Sequence, residues 1–495
     1  MDHDAHAVLG DMHDEAARLH RESAILTLQE KCVQLEKTRL AAQLASIEKE
    51  EREMKAQLAR VNRKLAVTEQ RIATFNSLSL LLARLPVEIW RLVFTWSREI
   101  EVEYCFFRFW RLGHVCHKWR EIAHGDAYLW NDISIDTISV SRYSSAALEK
   151  QLELSRSATL HVAFRGSMVD DHDLCYDLLD ILGRHSSRWE RFEVDWEGDM
   201  SVFNALSDIA GRLDRLRYLR VFSLPTESFP DEEDWNETWP MANAFRTAPL
   251  LEDVFLTWKG GCCPASPVVR LPPTVKRLRI AAQSKDLVRV LHDAPDIVEL
   301  VIREVPDKWI RFYGGFVFMN ATERLHLTHS KAANRIISWL RTPVLQELSV
   351  AGSIIELPQF LDESGCRLQQ LTLEAPRGEA EAVLTVLRGQ PELSYLRLRV
   401  HCWSHGLSYR ETMEVLVPEL TVSAGRSTVC PNLTSLDIEL TQAGPWVKWE
   451  NAFCAMVESR RGSLESVRIQ GIPLSAVNTR RLESLRHEGI TVTMI

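Results

Sequence analysis

The side chains best suited to recognise a charged ligand are five basic residues in the C-terminal half of the chain. They are Arg277, Arg279, Arg303, Arg324 and His326. Each stands beside apolar residues of a predicted strand, so the five would form a basic patch across three consecutive strands. Because arginine can bind carboxylate and phosphate groups through two hydrogen bonds, the patch predicts recognition of an acidic or phosphorylated peptide. The alternative is a solvated face of mixed charge, since Glu299, Glu347, Glu374 and Asp437 are interspersed there.

No residue pattern predicts catalysis. The sequence contains no Walker lysine loop, no G-x-S-x-G turn and no nucleophile with an evident base. His13 and His20 lie about two helical turns apart, which would suit either a shared metal ion or a frayed, acidic N-terminus. The ten cysteines lack the paired spacing of a zinc site, and the adjacent Cys262 and Cys263 are expected to be free thiols. We therefore expect a protein that is not an enzyme and that holds no cofactor or metal.

The strands that would position the basic patch belong to a repeating pattern that begins after residue 136. The pattern apolar-x-x-apolar-x-apolar occurs ten times between Leu216 and Ile469. From Val254 to Leu396 its middle apolar residues step by 24, 22, 25, 23, 23 and 25 positions, and a leucine-rich repeat spans about 20–29 residues. The stretches between these strands have helical spacing. The pattern predicts an α/β leucine-rich-repeat solenoid over residues 136–495, whose concave strand face would bind a target.

A dense cluster of large apolar residues lies upstream of the repeats, in residues 80–135. LPVEIWRLVFTW predicts a helix with Pro86 at or near its first position, where a missing N–H costs nothing. LGHVCHKWREIA predicts a second helix, and LWNDI follows it. Two sets of residues are expected to share a helical face: Ile89, Val93 and Trp96 on the first helix, and Val115, Cys116 and Trp119 on the second. So much apolar surface in a small helical unit favours burial in a partner, and a plain helical core is the alternative.

These three blocks resemble the F-box, a three-helix module of about fifty residues, in the form found in fungal F-box proteins where a coiled coil often precedes it. The resemblance implies that the module docks a Skp adaptor, which connects to a cullin ubiquitin ligase. The residues that would dock the adaptor are Leu85, Pro86, Ile89, Val93, Val115, Cys116 and Trp119. The intervening segment EIEVEYCFFRFW departs from the family, because it is rich in aromatic residues where a short polar connection is usual.

The N-terminal residues 1–78 predict a long helix. Residues from about Arg18 to Phe75 include no proline or glycine and consist largely of strong helix formers. Their apolar residues recur at alternating steps of three and four from Leu44 to Phe75, which is a heptad seam, and the register slips near Leu40. We expect this helix to pair with a second copy, a partner helix or the body of the protein. A solvated single helix is the alternative.

Length and charge set the remaining limits. A chain of 495 residues is too long for one ordinary core, and its net charge of −9 gives no general attraction to nucleic acid. No signal peptide or membrane span is evident, so we expect a cytosolic or nuclear protein. The leading hypothesis is a substrate-recognition subunit of a cullin ubiquitin ligase with an unknown protein target. The alternative is a leucine-rich-repeat scaffold that self-associates through its coiled coil and has no ubiquitin role.

Overall fold

A single helix forms the N-terminal part of the protein. In the computed structural model, helix α1 runs from Asp2 to Ala83, so it extends beyond residue 78, the predicted end of this region. The helix continues through Asn76 and Ser77, because moderate helix formers each cost a helix less than about 1 kcal/mol. Every residue from position 8 to position 75 of this helix is exposed.

The described part of the chain divides into two units, Met1–Leu92 and Val93–Ile495. The boundary falls inside helix α2, within the segment predicted as the 80–135 module. Cys262, Cys263 and most of the aromatic segment after Glu99 lie outside the described residues. The structure describes residues 2–83, 85–99, 108–137, 144–167, 172–197, 205–206, 208–224, 243–258, 269–281, 284–303, 315–328, 333–352, 354–374, 380–401, 407–423, 429–441, 449–471 and 474–494.

Short helices follow α1 and then alternate with strands. The helices are α2 Val87–Glu99, α3 Arg108–Val115, α4 His117–Gly125, α5 Ser145–Leu154, α6 His172–Arg184, α7 Ser284–Asp293, α8 Ala333–Ile337, α9 Leu357–Ser364, α10 Ala380–Gly389, α11 Leu407–Leu420, α12 Glu450–Ser459 and α13 Ala476–Arg486. Short 3-10 turns lie at Ala127–Leu129, Ser186–Arg188 and Phe245–Thr247. Serine side chains cap the first turns of two helices. Ser144 is the N-cap of α5, and Ser475 is the N-cap of α13.

Fourteen strands form one parallel sheet in which spatial order follows chain order. They are β1 Asp132–Asp136, β2 Leu160–Ser167, β3 Trp189–Glu197, β4 Tyr218–Leu224, β5 Asp253–Trp258, β6 Arg277–Ala281, β7 Glu299–Ile302, β9 Arg324–Leu327, β11 Glu347–Ala351, β12 Gln370–Glu374, β13 Tyr395–His401, β14 Ser435–Thr441, β15 Ser466–Gln470 and β16 Thr491–Met494. The short strands β8 Val317–Phe318 and β10 Leu340–Arg341 form a second parallel pair. The predicted long helix and α/β class are confirmed, and the sheet is large and parallel.

The register aligns the apolar residues of neighbouring strands in columns. Leu348 of β11 is the Cα partner of Leu325 on one side and Leu371 on the other, and Leu371 in turn faces Leu396. All four leucines are fully buried and belong to one continuous core. Because side chains alternate across a strand, the residues between them project from the opposite face of the sheet. That second face carries most of the charged strand residues.

Candidate binding surfaces

Helix α2 has a buried face and an exposed apolar face. Its first turn is closed by the Pro86 carbonyl, which accepts hydrogen bonds from Ile89 N at 3.2 Å and Trp90 N at 3.3 Å. Trp90 and Phe94, one turn apart, are the buried residues. Ile89 and Val93, also one turn apart, remain 40% and 41% exposed. The helix therefore presents two of the predicted docking residues to solvent while Trp90 and Phe94 are covered.

Val115, Cys116 and Trp119 do not share one helix, which corrects the sequence prediction. Helix α3 ends at Val115, and Cys116 has an extended backbone with a φ of −160° before α4 begins. The Cys116 Sγ accepts a hydrogen bond from Trp119 N at 3.5 Å and so caps the first turn of α4. Local hydrogen bonding by Cys116 thus replaces the continuous helix that the spacing suggested. Val115 and Cys116 are both exposed at this break.

Aromatic contacts hold the beginning and the end of α4 in place. The half-buried Trp119 ring packs edge-on against Phe94, with ring centroids 5.2 Å apart. Trp130 is buried, donates its Nε1–H to the Ala123 carbonyl at 2.7 Å and packs edge-on against Trp110. A buried tryptophan that satisfies its N–H in this way stabilises the end of a helix strongly. Trp119 is therefore partly a packing residue, with only part of its ring available to a partner.

The seven predicted docking residues are distributed over both units. Leu85, Pro86 and Ile89 belong to the first unit, and Val93, Val115, Cys116 and Trp119 to the second. Leu85 is half-buried, and Pro86 is exposed.

The five residues of the predicted basic patch lie on the polar side of β6, β7 and β9, but acidic groups accompany three of them. Arg277 contacts Asp253 at 3.1 Å, Arg324 contacts Glu299 at 3.3 Å, and His326 Nε2 lies 3.8 Å from Glu347. Cross-strand pairing produces this pattern because Arg277 is the Cα partner of both Asp253 and Glu299. Exposed pairs of this kind contribute roughly 0–1 kcal/mol each. They nevertheless reduce the positive charge that a ligand would meet.

Arg279 and Arg303 differ from the other three. Among the described residues, no carboxylate lies within 4.0 Å of either guanidinium. Arg303 lies over the Phe255 ring at 5.5 Å, and Arg220 lies over the same ring, also at 5.5 Å. A guanidinium near an aromatic face is attracted by about 0.5–1 kcal/mol at exposed sites. Arg220 also contacts Glu193 at 3.5 Å, so of the two guanidiniums over Phe255 only that of Arg303 has no described carboxylate within 4.0 Å.

Further aromatic residues extend this region along β4. Arg191 lies 4.3 Å from the centroid of the Tyr218 ring. Burial, followed by the nearby Glu193 carboxylate, raises the pKa of Tyr218 above its usual value, so the phenol stays neutral. We call the set on β3 to β7 the aromatic–arginine cluster, and it comprises Arg191, Tyr218, Arg220, Phe222, Phe255, Arg279 and Arg303.

Two polar atoms beside Phe255 lack hydrogen-bond partners in the described part of the chain. They are Asp253 Oδ1 and Thr257 Oγ1, both on β5 and both buried. Because side chains two residues apart on a strand project to the same side, these atoms lie on the same face as Phe255. Buried polar atoms are normally hydrogen-bonded, so this pair is an exception on the outward face of β5.

A second group of arginines, on β13, forms ion pairs with glutamates on neighbouring strands. Arg399 contacts Glu374 at 2.6 Å and Glu439 at 2.8 Å, and Arg397 also contacts Glu439 at 2.8 Å. Burial would raise the pKa of Glu439, but hydrogen bonds from Arg399 and Arg397 outweigh it and leave the pKa below the usual value. The carboxylate therefore stays ionised near neutral pH. These arginines serve the sheet itself, since each donates to a carboxylate on a neighbouring strand, although Arg397 Nε has no hydrogen-bond partner among the described residues.

A cleft of about 730 Å³ opens beside α5 and α6, away from these surfaces. Burial lowers the pKa of His185 there, and Arg188 and Arg184 lower it further. The ionisable groups that line it nearly balance, because Arg156, Arg188 and Arg215 are matched by Glu149, Glu153 and Asp214. Such a lining favours neither anions nor cations.

No protein-family model matches the chain, and no curated protein matches it. Within the described ranges, no group of three His, Cys, Asp or Glu side chains is arranged to hold a metal ion. No described helix combines the length and the apolar composition needed to cross a membrane.

Sequence reasoning missed the aromatic part of the cluster. Tyr218, Phe222 and Phe255 occupy outward strand positions, where an alternating pattern predicts polar residues. These aromatic residues at outward positions could have indicated a binding surface, because a large aromatic side chain that points away from the core does not stabilise the core. The arginines were recognised as basic residues, but their acidic partners follow from strand register, which is set by loop lengths as well as by the pattern.

Proposed function

We propose that this chain is a non-catalytic substrate-recognition subunit of a cullin-type ubiquitin ligase. In this proposal, residues 80–135 dock a Skp adaptor and the strand face further along the chain captures the protein target. The observation that carries it is the exposed apolar face of α2, where Ile89 and Val93 are open to solvent although Trp90 and Phe94 of the same helix are buried. Exposed apolar anchors beside a covered aromatic core are the chemistry of a binding hot spot.

The F-box resemblance supplies the adaptor's identity, and the exposure of α2 supports it. A helix that served only as core would bury its apolar residues on one face. Here Leu92 and Trp96 add to the exposed apolar area, at 51% and 64% exposure. Exposed large apolar residues this close together favour a partner over solvent.

The target-binding half of the proposal rests on a leucine-rich-repeat interpretation of the sheet. Strands that follow chain order, all parallel, with a helix between many of them, are what stacked repeats produce. The steps of 22 to 25 residues between Val254 and Leu396 support the same interpretation. On this account, the polar strand face is a continuous platform, and the aromatic–arginine cluster is its most favourable binding region. Aromatic and arginine side chains are the residues most enriched among interface hot spots.

Adaptor binding by the full-length protein tests this proposal. A purified Skp adaptor should bind the wild-type chain, and the double variant Ile89→Asp with Val93→Asp should weaken binding at least 30-fold, or about 2 kcal/mol. Val477→Asp is the matched control, because Val477 is a 68% exposed valine on α13. Its affinity should equal that of the wild type. A wild-type chain that fails to bind the adaptor would overturn the ligase proposal.

The scaffold alternative is favoured by one specific observation, the exposed heptad seam of α1. A protein that self-associates through this helix and binds a partner on its strand face needs no adaptor. The same titration separates the two functions, because the scaffold predicts self-association without adaptor binding.

A further inference from the structure

Helix α1 carries an apolar seam whose described side chains are exposed. Between positions 44 and 75 the seam occupies the a and d positions of successive heptads, with Glu51 and Thr68 as its polar members. Its apolar side chains are between 54% and 70% exposed, and they are Leu44, Ile47, Met54, Leu58, Val61, Leu65, Ile72 and Phe75. A stripe of this length on a single helix calls for a second helix to cover it.

We infer that α1 pairs with α1 of a second copy of this chain, in a parallel and in-register two-stranded coiled coil. This inference does not rest on the ligase proposal. Its first support is charge complementarity at the g and e positions that flank the seam. In the parallel arrangement, each g residue faces the e residue five positions further along the second copy. Glu50 then faces Lys55, and Lys64 faces Glu69. The pairs Gln43–Glu48 and Gln57–Asn62 contain no like charges.

The upstream half of the helix selects the parallel orientation. Its apolar residues Ile25, Leu28 and Leu35 follow a different heptad frame, and they are 56%, 63% and 70% exposed. In an antiparallel pair centred on the 44–75 seam, residue n faces residue 119 − n, because 44 + 75 = 119. Leu28 would then face position 91, beyond the end of α1 at Ala83. A shifted antiparallel pair, in which residue n faces residue 100 − n, would cover Leu28 with Ile72 and Leu35 with Leu65, but it would place Ile47 opposite Glu53 and Met54 opposite Ser46. Only the parallel pair covers both frames along their whole length, with the two register slips side by side.

One layer opposes this arrangement. Parallel pairing places Glu51 of one copy beside Glu51 of the other at an a position, whereas the antiparallel pair would place Glu51 opposite Thr68. Lys55 offsets part of that repulsion, since its Nζ lies 2.6 Å from Glu51 within the same helix. A single polar a position lowers the stability of a coiled coil without preventing it. Either antiparallel alignment leaves at least three apolar layers uncovered, and these outnumber the one charged layer.

Parallel pairing has a functional consequence. The C-terminal ends of the two α1 helices lie at the same end of the coiled coil, so both copies of residues 85–495 emerge there. One particle then carries two α2 helices and two aromatic–arginine clusters. A target with two recognition sites is held by both, and such bivalence raises apparent affinity by about 10²–10⁴-fold when the spacing allows it.

Charge reversal tests the partner and the flanking pairs in the full-length chain. Light scattering should give twice the chain mass of 56.7 kDa for the wild type. Lys55→Glu with Lys64→Glu, and separately Glu50→Lys with Glu69→Lys, should each weaken self-association at least tenfold, because like charges then face each other. An equimolar mixture of the two variants should restore the dimer, since every g–e' pair in it is again opposite in charge.

Lys49→Glu with Arg63→Glu is the matched control. It makes the same change in net charge at f positions, which face away from the seam, so the dimer should persist. A monomeric wild-type chain would overturn the inference, and so would equal weakening by the control variant.

Cross-linking tests the orientation. Oxidised Thr68→Cys should give a disulfide-linked dimer whose linked peptides both contain position 68. Gln70→Cys, at an f position, should not cross-link, and the wild-type chain under the same oxidant gives the background from native cysteines. If Thr68→Cys cross-links only when mixed with Glu51→Cys, the pair is antiparallel and the inference fails.

Discussion

Helix α1 and the fourteen-stranded sheet both repeat apolar residues at regular intervals, but only the sheet buries them. Leu371 of β12 is fully buried between the leucines of its neighbouring strands, whereas Leu58 of α1 is 60% exposed. Each strand is covered by the next part of the same chain, and nothing plays that role along the described face of α1. Regular spacing therefore predicts which face of an element is apolar. An apolar face that the same chain covers stabilises the fold, whereas an exposed one is available for association with another chain.

Removing a core leucine from the sheet should have the largest effect. Leu371→Ala deletes a side chain with no exposed surface in the middle of the sheet. Buried Leu→Ala changes cost about 2–5 kcal/mol, through lost transfer free energy and the cavity that remains. Urea unfolding of the full-length protein should show this loss in the transition that reports on the sheet. A loss below about 1 kcal/mol would show that the column does not hold the sheet together.

The same substitution in the seam should act on association instead. Leu58→Ala should change the free energy of unfolding of the sheet by less than about 0.5 kcal/mol, because an exposed side chain loses little on truncation. Self-association should weaken about tenfold or more, since the layer loses the apolar area of two leucines. Sedimentation at several protein concentrations measures this. Unchanged association would mean that the exposed seam is solvated rather than paired.

The smallest effects are expected on the polar face of the sheet. Arg279→Glu should weaken binding of an acidic or phosphoserine peptide about fivefold, because no described carboxylate offsets that guanidinium. Arg324→Glu should change binding less than twofold, since Glu299 already lies 3.3 Å from Arg324. Fluorescence anisotropy with one labelled peptide compares the two variants, which carry the same change in charge. Equal losses would indicate that overall charge, and not the aromatic–arginine cluster, attracts the peptide.

The strands of the sheet could be predicted in some detail because the same apolar pattern recurs along the chain. The middle apolar residues of the repeats, such as Leu325, Leu348 and Leu371, come to be register partners in adjacent strands. In α1 the absence of proline and the abundance of strong helix formers were sufficient to predict the helix, whereas its last turn at Ala83 carries no such signal. Local propensities of a few tenths of a kcal/mol do not end a long helix.

The binding surfaces were harder to predict than the fold. The contact between Arg277 and Asp253 joins residues 24 positions apart, and it depends on strand register that no local pattern encodes. The break at Cys116 arises because its Sγ caps α4, a role that helical periodicity does not reveal. Periodicity did identify Ile89 and Val93 as one face, but their exposure depends on Trp90 and Phe94 being the residues that are covered.

Titration of the full-length chain with a purified Skp adaptor is the most direct test of the proposal that this protein is a ubiquitin-ligase subunit. We expect the wild-type chain to form a saturable complex. The double variant Ile89→Asp with Val93→Asp should lower the affinity for the adaptor at least 30-fold, and Val477→Asp should leave the affinity unchanged. Circular dichroism of both variants should match the wild type, because each altered side chain is exposed. Absence of a complex with the wild-type chain, in a preparation that still forms the α1 dimer, would contradict the ligase proposal and favour the scaffold.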